Sequence, residues 1–193
     1  MFLLNPGGPP GYDRGMESIR MNSFLGRVVG AARLQPDVYR QILADPAATR
    51  QALAVVVLAS FCVWLGISDQ VPPEAVLIVI PLFVVIWYFL GWFTRWIGTR
   101  LFPEPEMAVP DQKALLRVLG FANAPGILRL VTYPFQSIAP LVYGGVIFWI
   151  LWATILSIQI AFGYKKIWRA VAVCLLGWLA QILIMLALSL LGG

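Results

Sequence analysis

The sequence predicts an all-α, polytopic integral membrane protein, a five-helix transmembrane bundle with short N-terminal interfacial helices. Three observations carry that prediction. Hydrophobic residues make up 60% of the 193-residue chain and charged residues 12%, against about 45–50% and about 25% in a soluble domain. Five apolar stretches alternate with short polar ones, and the mean hydropathy is +0.83. All but one of the 14 lysines and arginines fall in segments that one side of a membrane can hold, the pattern expected of topology-setting cations.

From the N-terminus, residues 1–17 read as a disordered tail rich in glycine and proline. Phe2-Leu3-Leu4 is too short for the apolar core of a secretory signal, and Met16 and Met21 are alternative starts. Residues 18–49 read as cytoplasmic or interfacial amphipathic helices. In the first, Phe24, Leu25, Val28, Val29 and Ala32 share an arc, with Arg20 and Arg27 at one border and Arg33 near the other. Arginines so placed reach headgroups while the apolar face dips into lipid; packing against the ends of the spans is the alternative. Pro36 opens a second short helix. Asp45-Pro46 reads as an N-cap followed by a first-turn proline.

The membrane domain is residues 50–193. Its spans are expected at about 51–67, 75–96, 114–131, 140–163 and 170–191. The second ends in Trp92, Arg95 and Trp96, the aromatic and basic signature of a membrane–water boundary. Pro103, Pro105 and Pro110 make the following segment a loop, and Asp111 is placed to cap the next helix. The third stretch is unusual in carrying Arg117, Asn123, Pro125 and Arg129. Eleven residues separate its arginines, roughly 16–18 Å of α-helix against about 30 Å of hydrocarbon. A full span and a re-entrant segment therefore compete. Charge favours five spans, because a re-entrant third stretch would put Lys165, Lys166 and Arg169 on the side opposite the other cations. The N-terminus is then expected in the cytoplasm and the C-terminus across the membrane.

The chemistry is mostly defined by exclusion. The chain has no histidine, and its two cysteines, Cys62 and Cys174, lie within separate apolar runs. No Cys/His metal site or histidine-ligated haem is expected, and no cofactor. The spans hold no acidic residue, so neither a proton relay nor a hydrolytic centre is expected, and the protein reads as non-enzymatic. Nucleic-acid binding is excluded because the net charge of +5 is scattered singly between apolar runs. Candidate interhelical or lipid and anion contacts are Arg117, Asn123, Pro125, Arg129, Gln159 and Gln181. Pro125 opens the helix, and Asn123 either joins an anion site with the arginines or bonds across helices. Gln159 and Gln181 either pair across helices or line a polar path. Gly144, Gly145, Gly163 and Gly177 are candidates for close helix approach; Trp149, Trp152 and Trp178 lie deep in the spans, read by default as packing residues, with lipid or pigment contact as the alternative.

Three segments resemble the Yip family of Ypt/Rab-interacting membrane proteins, in its bacterial branch. They are Leu34-Gln35-Pro36 through Asp45-Pro46-Ala47-Ala48-Thr49-Arg50-Gln51-Ala52-Leu53, then Leu115-Leu116-Arg117-Val118-Leu119-Gly120-Phe121-Ala122-Asn123-Ala124-Pro125-Gly126, whose part from Gly120 is the most specific, then Arg169-Ala170-Val171 through Gly177-Trp178 to Gln181. The resemblance covers roughly residues 33–191 and implies a five-span bundle with a cytoplasmic N-terminal region in a bacterial inner membrane. Rab-type GTPase binding, found in eukaryotic relatives, transfers poorly, because the N-terminal region here is short and lacks an extended acidic segment. The expected role is a scaffold or accessory subunit contacting lipids and other membrane proteins or itself. The alternatives are a small transporter or channel using the third span for an anion or lipid, and a membrane-shaping or trafficking factor.

Overall fold

Helices account for nearly all of the computed structural model, which describes residues 23–68 and 71–191. The expected tail, Arg20 and the start of the first amphipathic stretch lie outside the described residues, as do Asp69 and Gln70 in the first interspan turn. The helices are α1 (Phe24–Ala32), α2 (Pro36–Ala44), α3 (Ala48–Ile67), α4 (Val76–Arg100), α5 (Gln112–Phe121), α6 (Ala139–Phe162) and α7 (Ile167–Leu191). A 3₁₀ segment, Ala124–Thr132, continues α5.

Five segments are long and apolar enough to cross a membrane: Ala48–Gly66, Pro73–Arg100, Gln112–Thr132, Ala139–Phe162 and Ile167–Ile184. The third, which carries Arg117 and Arg129, departs from uniform α geometry. Pro125 has no N–H to donate, and the chain changes from α to 3₁₀ geometry around it. The tighter helix rises about 2.0 Å per residue rather than about 1.5 Å, which puts Arg117 and Arg129 about 20 Å apart along the segment, against about 30 Å of hydrocarbon.

The third span is also the most enclosed. Within its most apolar 18 residues 67% are buried within the chain, against 11% for the second. Close approach explains why. A Cβ on Gly120 would lie 2.7 Å from the Ala52 Cβ and 3.1 Å from the Ala52 carbonyl oxygen of α3, so only glycine permits that contact. Gly91 and Gly98 of α4 serve similarly against Leu116 and Phe162. The expected close-approach glycines behave otherwise. Gly144 and Gly145 face open space. Gly163 takes φ +66° and ends α6, where the Tyr164 N–H donates to the Gln159 carbonyl at 3.1 Å. Gly177 makes only ordinary contact, 3.7 Å from a would-be Cβ to Thr94 Oγ1.

The N-terminal helices form an antiparallel hairpin seated against the bundle. Leu34, at φ 59°, turns the chain in the left-handed region. The Gln35 N–H reaches the Gly30 carbonyl and the Leu34 N–H the Ala31 carbonyl, both at 3.0 Å, which closes α1 as a Schellman turn. Tyr39 is fully buried, and its hydroxyl donates to the Ala31 carbonyl at 3.1 Å. Burial pushes that phenol above its usual range. At the tip, the Trp149 indole N–H donates to the Ala32 carbonyl at 2.7 Å. Trp149 is therefore a hydrogen-bonding residue as well as a packing one. Of the expected lipid-facing arc, Leu25 and Val29 are exposed, while Phe24, Val28 and Ala32 pack on the core.

Asp45 does not cap α3 as its sequence position suggests. The helix begins at Ala48, and the Asp45 carboxylate accepts the Ala47 N–H at 2.9 Å, closing a turn ahead of it. Asp111 does occupy the N-cap position of α5, although its side chain makes no capping bond. Cys62 and Cys174 are both free and buried.

The end of the bundle that carries Arg95, Arg100, Lys113, Lys165, Lys166 and Arg169 is here called the basic side. Its loop is pinned from several directions. The Arg169 guanidinium bonds the Pro103 carbonyl at 2.9 Å and lies 3.5 Å from Glu104, Arg95 bonds the Pro110 carbonyl at 3.1 Å, and the Ala108 N–H bonds the Phe162 carbonyl at 3.0 Å. The buried Tyr164 hydroxyl donates to the Gly98 carbonyl at 3.0 Å, and burial pushes its pKa up to about 12.

Candidate functional site

All five spans contribute to one cavity of about 780 Å³, within the about 300–1,000 Å³ usual for small-ligand sites. The α3 wall is Val56, Ala59, Ser60 and Val63. The α4 wall is Phe83, Ile86, Trp87, Leu90 and Thr94. The third span gives Leu119, Asn123 and Arg129. The α6 wall includes Ile147, Ile150, Thr154 and Ile158, and the α7 wall runs from Cys174 through Gly177, Trp178 and Gln181 to Leu186.

Helical spacing explains the polar members. Ser60 and Thr154 turn their hydroxyls back onto carbonyls of their own helices, Val56 at 2.7 Å and Ile150 at 2.8 Å. Those hydroxyls are spent on the backbone, as is common for serine and threonine inside helices. The Asn123 amide nitrogen likewise donates to the Leu119 carbonyl at 3.0 Å within its own segment. The expected bond from Asn123 across helices is replaced by this local one, because the α-to-3₁₀ change frees carbonyls next to it.

Among the described residues, Arg129 is the only charged one in the lining. Its guanidinium carbon lies 5.4 Å from the centre of the Tyr143 ring, a cation–π geometry. Its Nε is buried and unpartnered among the described residues, and none of the ion pairs among those residues involves it. The phenol of Tyr143 in turn presses on Gly66 of α3.

The sequence candidates thus separate into two groups. Asn123, Arg129 and Gln181 meet at the cavity. Arg117, Pro125 and Gln159 do not line it. Arg117 is buried and donates to the Leu43 carbonyl of the hairpin at 2.6 Å, a structural bond spanning 74 residues. Pro125 acts through the backbone, and Gln159 accepts the Tyr164 N–H through its carbonyl. The expected pairing of Gln159 with Gln181 is not among the hydrogen bonds of the described residues. Arg27, expected at the edge of a lipid-facing arc, is buried instead. It lies 2.7 Å from Asp45 and donates to Gln51 at 3.0 Å. The Arg27 bond, followed by that from the Ala47 N–H, holds the Asp45 carboxyl below the usual carboxylate range. Arg33 remains exposed at the hairpin tip.

Two positions at or beside the cavity escaped sequence reasoning. Tyr143 was invisible because its partner Arg129 lies in another span. Trp178 was noted only as a deep aromatic, although it borders the cavity beside Gln181.

A Yip1-domain family model matches residues 33–189. The chain belongs to the Yip1-domain family. The match begins after α1 and covers α2 and all five spans, so the enclosed third span and the cavity lie within the Yip1 domain. No curated protein and no solved structure matches the chain. The Yip1 domain and the five apolar helices together make this an integral membrane protein.

Proposed function

We propose that this Yip-family protein is a non-enzymatic intramembrane binding protein that holds an anionic amphiphile in its interhelical cavity. One observation carries the reading: the Arg129 guanidinium stands on the wall of a mostly apolar cavity with no carboxylate partner among the described residues. A cation at membrane depth is costly unless it is paired. The Tyr143 ring offsets part of that cost, and an anionic group on a ligand would supply the rest. Asn123 and Gln181 add carboxamides to the same wall, and no carboxylate or histidine stands by to turn binding into hydrolysis. This reading favours the third span as an anion or lipid site over a purely scaffolding role.

A scaffold or accessory role draws support from the second span, where the exposed Trp92 and Trp96 continue a ring ladder with the half-buried Phe89 and Phe93. Lipid satisfies such a face as well as a partner helix does, so the cavity reading stands first. An N-terminal segment on the cytoplasmic side of a bacterial inner membrane accords with the distribution of cations.

The test is native mass spectrometry of the full chain released from nanodiscs. Wild type is expected to retain anionic amphiphiles, and Arg129→Gln to lose them at least tenfold while keeping its thermal midpoint. Equal retention by Arg129→Gln would exclude the reading.

A further inference from the structure

We infer that the anion at Arg129 is the headgroup of an acyl-chain lipid drawn from the leaflet opposite the basic side, its chain pointing back toward that side; this rests on the binding role proposed for the cavity. The cavity is elongated along the helices. Its α7 wall runs from Cys174 to Leu186, about 18 Å at the α-helical rise. One leaflet of hydrocarbon is about 15 Å deep, half of the full core. The trough is therefore as long as an acyl chain and far longer than a small inorganic anion requires.

Its two ends differ in chemistry and in access. At the basic-side end the lining is closed, with Ile158 0%, Cys174 2% and Thr94 4% exposed. Toward the other end Ile182 is 60% and Leu186 54% exposed, so the wall there opens laterally to lipid. Arg129 lies in the half of its span away from the basic side, and its Nη1 reaches back to within 3.4 Å of a would-be Cβ on Gly126. Charge therefore sits toward the open end, and apolar wall fills the closed one. A lipid of the far leaflet has the same polarity, headgroup outward and chain inward. A lipid of the basic-side leaflet would have to invert to put its headgroup on Arg129.

Filling the closed end tests the chain separately from the headgroup. Gly177→Leu would extend a side chain into that end, where the nearest atom to a new Cβ is Thr94 Oγ1. Full-length protein in nanodiscs of mixed-length phosphatidylglycerol is expected to retain shorter acyl chains in Gly177→Leu than in wild type, with unchanged preference for the anionic headgroup. Cys174→Phe, at the same end, is expected to act alike and serves if Gly177→Leu does not assemble. Unaltered chain-length selection in the assembled variants would overturn the acyl-chain assignment. Displacement of the bound species by inorganic phosphate would also overturn it, by showing that a soluble anion suffices. In both cases Arg129→Gln would still lose its ligand, so the cavity reading would survive; retention by Arg129→Gln would sink both.

Brominated phosphatidylglycerol confined to one leaflet of reconstituted vesicles tests the side of entry. Tryptophan quenching that Arg129→Gln abolishes is expected only from the leaflet opposite the basic side. Such quenching from the basic-side leaflet alone would reverse the assignment.

Discussion

Arg27 of the N-terminal hairpin lies 2.7 Å from Asp45, the two joining the start of α1 to the turn that leads into α3. The arginine side chain is 7% exposed and the aspartate 31%, so the pair is screened on one side only. It closes the base of the hairpin, as the Trp149 bond closes its tip.

Replacing Asp45 by Asn leaves Arg27 buried with Gln51 as its remaining side-chain partner. The expected loss is about 1.5–3 kcal/mol, the range for hydrogen bonds to charged groups. Amide exchange of residues 24–44 in detergent is expected to accelerate while that of α4 and α7 is unchanged.

The same pair gives a pH dependence of defined sign. Asp45 titrates below its ordinary value in the folded chain, so the unfolded chain binds its proton first as pH falls. The stabilisation is complete above the unfolded value, about pH 3.9, and is lost as pH drops through the lower folded value. Hairpin protection measured by exchange is therefore expected to be flat from pH 7 to about pH 5 and to fall only in strong acid. Asp45→Asn is expected to abolish that acid limb.

Arg117 and Arg129 are expected to fail differently. Arg117→Leu deprives the Leu43 carbonyl of its donor and is expected to lower the thermal midpoint and loosen α2, with the retained ligand unchanged. Arg129→Leu is expected to lose ligand with little change in hairpin protection. A thermal scan beside native mass spectrometry of each variant checks the split.

Glycine substitutions are expected to sort by contact rather than by span. Gly120→Ala forces a Cβ against the Ala52 backbone and is expected to cost about 1–3 kcal/mol, as overpacking does. Gly144→Ala and Gly145→Ala meet nothing within 4 Å and are expected to be neutral or to stabilise by up to about 1 kcal/mol through helix propensity. Thermal midpoints of the three variants in one detergent decide this.

Removing the Trp149 indole donor with Trp149→Phe frees the Ala32 carbonyl. A loss of about 0.5–1.5 kcal/mol is expected, read as faster exchange at the Leu34 and Gln35 amides.

The spans were legible because lipid imposes a length and a composition that survive in one dimension. Arg117 and Arg129 stood out for the same reason, as cations in an apolar run. Their roles were not legible. Both are arginines twelve positions apart in one segment, and nothing local tells which one meets a carbonyl from residue 43 and which one meets a cavity. Gly120 and Gly144 are likewise indistinguishable in sequence, yet one touches a backbone and the other touches nothing.

By itself the sequence determined the helical class, the five apolar crossings and the grouping of cations, since each follows from the cost of exposing polar groups or charge to hydrocarbon. Only the tertiary structure decided that Arg27 is buried on Asp45, that Pro125 lengthens the third span by switching it to 3₁₀ geometry, and that Asn123, Arg129 and Gln181 share one cavity. Those outcomes depend on which faces of separate helices meet. Hydropathy carries no record of that pairing, because in lipid both the buried and the exposed faces of a span are apolar.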